Sequence, residues 1–333
     1  MKISVIGAGT FGTAVAASLA RGGNEVLLWA HEPNVAAEIR STGMNPMYLR
    51  DIRLGDRVRA TGDLAEAATF SDVVFMVTPS HFYRSVLGDL SRHVAGGVNI
   101  CSGTKGLELD SLDRMSQVAR AVLGDKLANF AVLSGPTFAV ELARGDPTAA
   151  VIASRSVEFA QKLQHALSSN SWRLYRSADV VGVELGGSLK NVIAIAAGVI
   201  AGLGLGSNTN AALITRGLHE ITRLGMTLGG TLETFAGLAG IGDLVLTCTG
   251  ALSRNRSVGV ALGQGKKLNE ILDEAKFVAE GVKTSKAAKA LAERYAIEMP
   301  ITTEMYRVLY EDEPPRAAIH RLMTRTLKAE SAL

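Results

Sequence analysis

Two cysteines in 333 residues, Cys101 and Cys248, are too few and too widely spaced for a disulfide framework or a cysteine metal site. Both lie among apolar neighbours and are expected to be reduced and buried, which suits the cytosol. A strong charge bias is also missing. The net charge of +3 and pI near 8.8 are too mild and too dispersed for a nucleic-acid or membrane-binding face, so neither partner is expected. The longest apolar stretch, Val192 to Leu205, falls short of the roughly 18 residues a membrane span needs and is interrupted by glycine. It reads as a buried core helix, and no integral membrane segment is expected. At the start, Met1-Lys2, an apolar run and Ala17-Ser18-Leu19-Ala20 mimic a secretory signal. Gly7, Gly9 and Gly12 suit a turn better than an apolar signal helix. No internal repeat or low-complexity linker is visible.

What is there is an ordinary globular composition, 47% hydrophobic and 20% charged. The length suggests two domains at about 150 residues each. In the first half, short β-rich runs alternate with helical stretches. Strands are predicted at Ile3–Ile6, Val26–Trp29, Val73–Val77, Val98–Cys101, Phe130–Leu133 and Ala149–Ala153. Helices are predicted at Thr13–Arg21, Phe82–Leu90 and Ser111–Leu123. The strands are continuous apolar runs, as expected when helices cover both faces of a parallel sheet. After about Val180 strand signals fade, and helices are predicted at Val181–Ala201, Ala211–Leu224, Leu268–Glu274, Ser285–Tyr295 and Thr302–Tyr310. The expected fold is α/β: a Rossmann-like doubly wound sheet over residues 1–180, then a mostly α-helical domain over 181–333.

Gly7-Ala8-Gly9-Thr10-Phe11-Gly12 matches G-x-G-x-x-G between the first strand and the first helix. Gly7 permits the tight turn, Gly9 lets backbone approach a pyrophosphate, and Gly12 lets helix and strand pack closely. The helix N-terminus offers free N–H groups and a positive dipole end to phosphates. These features predict a dinucleotide cofactor. An acid at the end of the second strand would bind the ribose 2′-hydroxyl of NADH, but this strand ends Leu28-Trp29-Ala30-His31-Glu32. With Ala30 or His31 where the acid belongs, repulsion against a 2′-phosphate is absent, and a protonated His31 would attract one. NADPH is therefore favoured over NADH. The competing reading has His31 on the adenine and Glu32 still reaching the ribose.

Reducing a ketone requires a proton donor at the carbonyl oxygen as well as a hydride. Lys190, in Gly186-Gly187-Ser188-Leu189-Lys190-Asn191, has Gly186, Gly187, Ala194 and Ala197 as helical face-mates. That strip is expected to leave room for substrate; a lysine snorkelling at a domain seam is the alternative. Lys105 follows directly on a strand, where ligands of open α/β sheets bind, although an ordinary loop lysine would look the same. Asp243, between glycines and an apolar run, could hold an active lysine or merely cap a helix. Ser253-Arg254-Asn255-Arg256 offers guanidinium forks for a phosphate, or is simply a solvated basic loop.

Together these residues resemble the bacterial-type NAD(P)-dependent glycerol-3-phosphate dehydrogenases. The resemblance runs from Ile3 to about Tyr310 through IGAGTFGTA, SGTKGLE, LSGPTFAVELARG, ELGGSLKNVIAIAAG, ALITRGLHE, GLAGIGDLVLTCTGALSRNR, VAEGVKTSK and EMPITTEMY. It implies that Lys190 is the catalytic proton donor and acceptor, with Lys105 and Asp243 as catalytic partners. It implies substrate contacts at Lys105, Gly135, Thr137, Lys190, Asp243, Ser253, Arg254 and Asn255. Cofactor contacts are implied at Thr10, Phe11, His31, Lys105, Ala139, Arg254, Val278 and Glu280, beside the glycines. The implied reaction interconverts dihydroxyacetone phosphate and sn-glycerol 3-phosphate in a cytoplasmic enzyme feeding phospholipid synthesis. Family members are commonly dimers, so a homodimer is expected. A keto-acid dehydrogenase of the same plan remains a second reading. A non-catalytic dinucleotide sensor would show degenerate catalytic positions, whereas Lys105, Lys190 and Asp243 are all present.

Overall fold

The computed structural model describes residues 1–274 and 279–330. The chain divides into two compact units, one of Met1–Lys105 with Asp113–Val180, the other of Gly106–Leu112 with Val181–Leu333.

The first unit contains strands β1 (Lys2–Ile6), β2 (Glu25–Trp29), β3 (Met44–Asn45), β4 (Leu49–Arg53), β5 (Val58–Thr61), β6 (Val73–Met76), β7 (Val98–Ser102), β8 (Leu127–Ser134), β9 (Thr148–Ser154) and β10 (Trp172–Ser177). Helices α1 (Thr10–Arg21), α2 (Pro33–Thr42), α3 (Leu64–Phe70), α4 (Ser80–Ser91), α5 (Met115–Leu123), α6 (Ala139–Arg144) and α7 (Val157–Leu167) connect them. Eight strands form one sheet in the order β10-β9-β8-β7-β6-β1-β2-β5. Neighbours are parallel except β8 and β9, which run antiparallel. The apolar runs fill both faces. Val5 and Phe75 join the core that includes Val15 and Leu19 of α1, while Ile6 and Met76 join the core with Tyr83 and Leu87 of α4. Strand order reverses between β1 and β6, which makes the carboxyl edge there a topological switch point.

Several elements escaped the sequence pattern. The β3–β4 hairpin and β5 carry exposed charged residues, and β10 alternates buried Trp172 and Leu174 with exposed Arg173 and Tyr175. Such half-solvated edge strands lack a continuous apolar run. The helix expected from Ser111 starts at Met115, because the Gln117 side chain accepts from the Arg114 N–H at 3.1 Å and fixes the end there.

The second unit is helical in its described residues: α8 (Val180–Gly202), α9 (Ser207–Thr227), α10 (Leu232–Phe235), a π-helical turn (Leu238–Gly242), α11 (Asp243–Thr249), α12 (Arg254–Gly263), α13 (Leu268–Glu274), α14 (Glu280–Arg294), α15 (Pro300–Tyr310) and α16 (Pro315–Met323). At 23 residues α8 is long and apolar enough to cross a membrane, yet residues 182–200 are all buried within the protein. The segment Leu232–Thr249 is similarly apolar but is broken into α10, the π turn and α11.

Helix α12 lies against α8 at glycines. A Cβ on Gly198 would stand 2.1 Å from the Arg256 carbonyl oxygen, and one on Gly259 would stand 1.9 Å from that of Ile195. Gly202 and Gly263 repeat the contact one turn on, so two small-x-x-x-small ridges let the backbones touch. Elsewhere, buried Glu220 of α9 accepts from the Ile301 N–H at 2.6 Å and the Thr302 N–H at 3.1 Å, satisfying the first turn of α15. Burial pushes its carboxyl up to about 7, against the downward pull of those donors.

Candidate active site

At the carboxyl edge of the first sheet, each motif glycine has a distinct mechanical reason. Gly7 has φ +116°, and a Cβ there would lie 2.9 Å from the Val77 carbonyl oxygen. A Cβ on Gly12 would lie 1.8 Å from the Gly7 oxygen, so helix and turn meet only through glycine. Gly9 is different: nothing lies within 4 Å of its would-be Cβ, and it begins α1 without a side-chain cap or a first-turn acid. An open helix N-terminus free of negative charge fits a pyrophosphate. Thr10 and Phe11 form the first turn of α1, and the Phe11 ring closes on Gly103, whose added Cβ would sit 3.1 Å from it.

Along the same edge, Lys105 follows β7, and Gly135 and Thr137 follow β8. The Lys105 ammonium donates to the Gly135 carbonyl at 3.4 Å, and the Thr137 hydroxyl donates to the same oxygen at 2.6 Å. Two predicted residues, Lys105 and Thr137, thus share the carbonyl oxygen of a third, Gly135. Gly135 has φ +147°, and a Cβ would lie 2.8 Å from the Ala150 Cα, so no larger residue fits. Ala139 opens α6, half-buried. Beyond β2, Ala30 is buried, and exposed His31 sets its ring edge-on to Trp29 with centroids 5.9 Å apart. Glu32 flanks the start of α2 and accepts a long bond from the Tyr48 hydroxyl at 3.5 Å.

In the second unit Lys190 is 5% exposed on α8. Its ammonium lies 2.5 Å from the Asp243 Oδ1 and 2.5 Å from the Thr247 Oγ1, both on α11. Asp243 is 1% exposed. It stands at the first position of α11, but its carboxylate goes to the lysine rather than only to its own helix. Taking an ammonium and a carboxylate out of water is tolerated when each satisfies the other with good geometry. Gly186 does not hold space open: a Cβ there would meet the Ala239 carbonyl oxygen at 2.6 Å, so this end of the strip is filled by the π-helical turn that leads into Asp243. Small residues bring that turn close to α8, and this places Asp243 within reach of Lys190.

Thr247 was missed in the sequence. Its spacing of four from Asp243 puts both on one face of α11, and its hydroxyl also donates to the Asp243 carbonyl at 2.6 Å. Cys248 lies beside this group, buried, and burial pushes its thiol up to about 12 although Lys190 pulls the other way.

The Ser253–Arg256 stretch is the start of α12 rather than a solvated loop. Ser253 Oγ accepts from the Arg256 N–H at 3.2 Å as the helix N-cap, and Arg254 is the first helical residue. Asn255 Oδ1 accepts from the Gly281 N–H at 2.9 Å, which fixes the amide and turns its NH2 group the other way. Asn255 therefore tethers the start of α14, whose first residue is half-buried Glu280. Val278 lies outside the described residues.

The NAD-dependent glycerol-3-phosphate dehydrogenase N-terminus family matches residues 2–160, and the corresponding C-terminus family matches residues 179–320. The chain belongs to this family. It is similar to "Glycerol-3-phosphate dehydrogenase [NAD(P)+]" of Geobacter sulfurreducens, 53% identical over 99% of this chain and 98% of the relative. Among solved structures it resembles the glycerol-3-phosphate dehydrogenase of Coxiella burnetii at TM-score 0.93 and 40% identity, covering 97% of this chain and 99% of that one. A ketopantoate reductase from Ralstonia eutropha shares the fold alone, with TM-score 0.59 at 19% identity over 96% of this chain and 100% of that one.

Proposed function

We propose that this protein is an NAD(P)H-dependent dehydrogenase that reversibly reduces dihydroxyacetone phosphate to sn-glycerol 3-phosphate for glycerophospholipid synthesis. The observation that carries the reading is the buried Lys190–Asp243–Thr247 group within a chain of this family. The open turn at Gly9 and the uncapped first turn of α1 would hold the pyrophosphate. When bound, the reduced nicotinamide supplies the hydride for the ketone carbon.

Lys190 delivers a proton from Nζ to the carbonyl oxygen as negative charge grows there, and the resulting amine recovers its proton from solvent. Asp243 and Thr247 hold Nζ in one orientation through the cycle. Lys105, anchored on the Gly135 carbonyl, adds positive charge that polarises the ketone. Arg254 with the NH2 of Asn255 grips the phosphate, and the energy of that grip goes into orientation of the reacting carbon. NADPH is the preferred cofactor: no acid stands at Ala30 or His31, and Glu32 is engaged with Tyr48. We further propose a cytoplasmic homodimer.

The test is an initial-rate assay with dihydroxyacetone phosphate, run in parallel with NADPH and NADH and against a panel of keto acids. Turnover on dihydroxyacetone phosphate with a higher kcat/KM for NADPH is expected; turnover on a keto acid alone would replace the substrate assignment. Lys190→Ala is expected to lower kcat at least about a hundredfold with NADPH binding retained. Near-normal turnover in that variant would remove Lys190 from the mechanism.

A further inference from the structure

The carboxyl edge of the first sheet contains a polar group that no role above uses. Thr78 follows β6 at the switch point, is 6% exposed, and its Oγ1 is buried without a hydrogen-bond partner. Its main chain is well ordered by neighbours. The Thr78 carbonyl accepts from the Thr104 hydroxyl at 2.8 Å, and a Cβ on Gly7 would lie 3.3 Å from the Thr78 nitrogen. The preceding residue, Val77, is fixed too, its N–H donating to the Ile6 carbonyl at 3.0 Å. The hydroxyl is therefore held beside the glycine turn, and it is orphaned in a segment whose backbone is not.

Leaving a buried hydroxyl unpaired costs roughly 1–3 kcal/mol, so such a group calls for a reason. Valine has the same shape without that cost and would suit the apolar run Val73–Val77 that leads into this position. In open α/β sheets the crevice at the switch point is where a dinucleotide crosses the sheet edge. We propose that Thr78 is a cofactor-binding residue whose Oγ1–H donates to a ribose or phosphate oxygen of the bound nicotinamide dinucleotide beside the Gly7–Gly9 turn. The inference rests on the cofactor reading above and adds a contact to it.

The test uses the full-length protein with Thr78→Val, which removes only the hydroxyl, and Thr78→Ser, which restores it. NADPH affinity is measured by fluorescence titration, and the melting temperature is measured without cofactor. The loss of one hydrogen bond predicts NADPH binding weakened about three- to tenfold in Thr78→Val and near wild type in Thr78→Ser. The cofactor-free melting temperature of Thr78→Val should rise, because an unpaired hydroxyl gives way to a methyl. Unchanged NADPH affinity in Thr78→Val overturns the assignment, and so does weakened binding accompanied by a lower melting temperature, which marks a packing role. Failure of the unaltered protein to bind NADPH would instead sink the cofactor reading, and this inference with it.

Discussion

Replacing Gly259 by alanine tests whether the α8–α12 contact sets the geometry of the lysine centre. The added methyl would stand 1.9 Å from the Ile195 carbonyl oxygen, whereas ordinary contact begins at 3.4 Å. Main chain lies on both sides, so no side chain can swing away, and the helices must part by about 1.5 Å, the difference of those distances. Overpacking of this kind costs roughly 1–3 kcal/mol. The functional cost should be larger. Helix α12 begins at Arg254 and Asn255, and α8 carries Lys190, so parting them shifts the proposed phosphate grip against the proton donor. A displacement near 1 Å of groups remote from the chemistry can lower turnover on the order of a hundredfold. The expected result for Gly259→Ala is a folded protein with a melting temperature lower by several degrees and kcat/KM for dihydroxyacetone phosphate down at least about tenfold. A variant with wild-type kcat/KM would refute the claim that this crossing positions the site.

Asp243→Asn removes the charge paired with a buried ammonium and should destabilise the protein by about 3–5 kcal/mol, with kcat reduced as strongly as by loss of the lysine; denaturant melts and initial rates check both. Glu220 gives a pH signature. Its carboxyl titrates near 7 when folded and near 4.5 when unfolded, so the native state holds the proton more tightly. That contribution to stability is complete below pH 4.5 and is lost as pH rises through 7, up to about 3 kcal/mol in all. Glu220→Gln should flatten this part of the stability–pH curve; an unchanged slope between those pH values would show that another group governs it. Finally, burial raises both thiols, Cys248 to about 12, so neither cysteine should be alkylated by iodoacetamide at pH 8 in the native protein, and both should react after unfolding, as mass spectrometry would report.

The glycine turn was legible because most of its requirements are local: the positive φ at Gly7 and the contact of Gly12 with the Gly7 oxygen both fall within the Gly7–Gly12 motif. So were the central strands, whose burial on both faces demands uninterrupted apolar residues. Lys190 and Asp243 stood out because charges embedded in apolar runs have few stable alternatives to pairing. What could not be read was long-range. The Gly186–Ala239 contact spans more than fifty positions, and nothing local distinguishes a glycine that admits a ligand from one that admits another helix. Ser253 and Asn255 read as part of a phosphate site or of a solvated loop; Ser253 caps its own helix through the nearby Arg256 N–H, whereas Asn255 completes the start of α14 through the Gly281 N–H, a partner that only tertiary folding supplies. Thr247 carried only a spacing, which becomes informative once Asp243 is known to face inward.

The passage of Gly106–Leu112 into the second unit limits how this protein can be divided. Leu107 is 2% exposed within the second unit's apolar core, and the Ser188 hydroxyl donates to the Gly106 carbonyl at 3.2 Å. A fragment beginning at Val181 would carry a hole where Leu107 belongs, and Ser188, on the same helix as Lys190, would keep only its bond to the Glu184 carbonyl at 2.7 Å. The polypeptide makes this excursion immediately after Lys105, so one peptide linkage joins a residue at the nucleotide end to a plug in the helical body. Gene fission, modular swapping or split-protein reporters would have to carry that heptapeptide along with the helices, not with the sheet that flanks it in sequence.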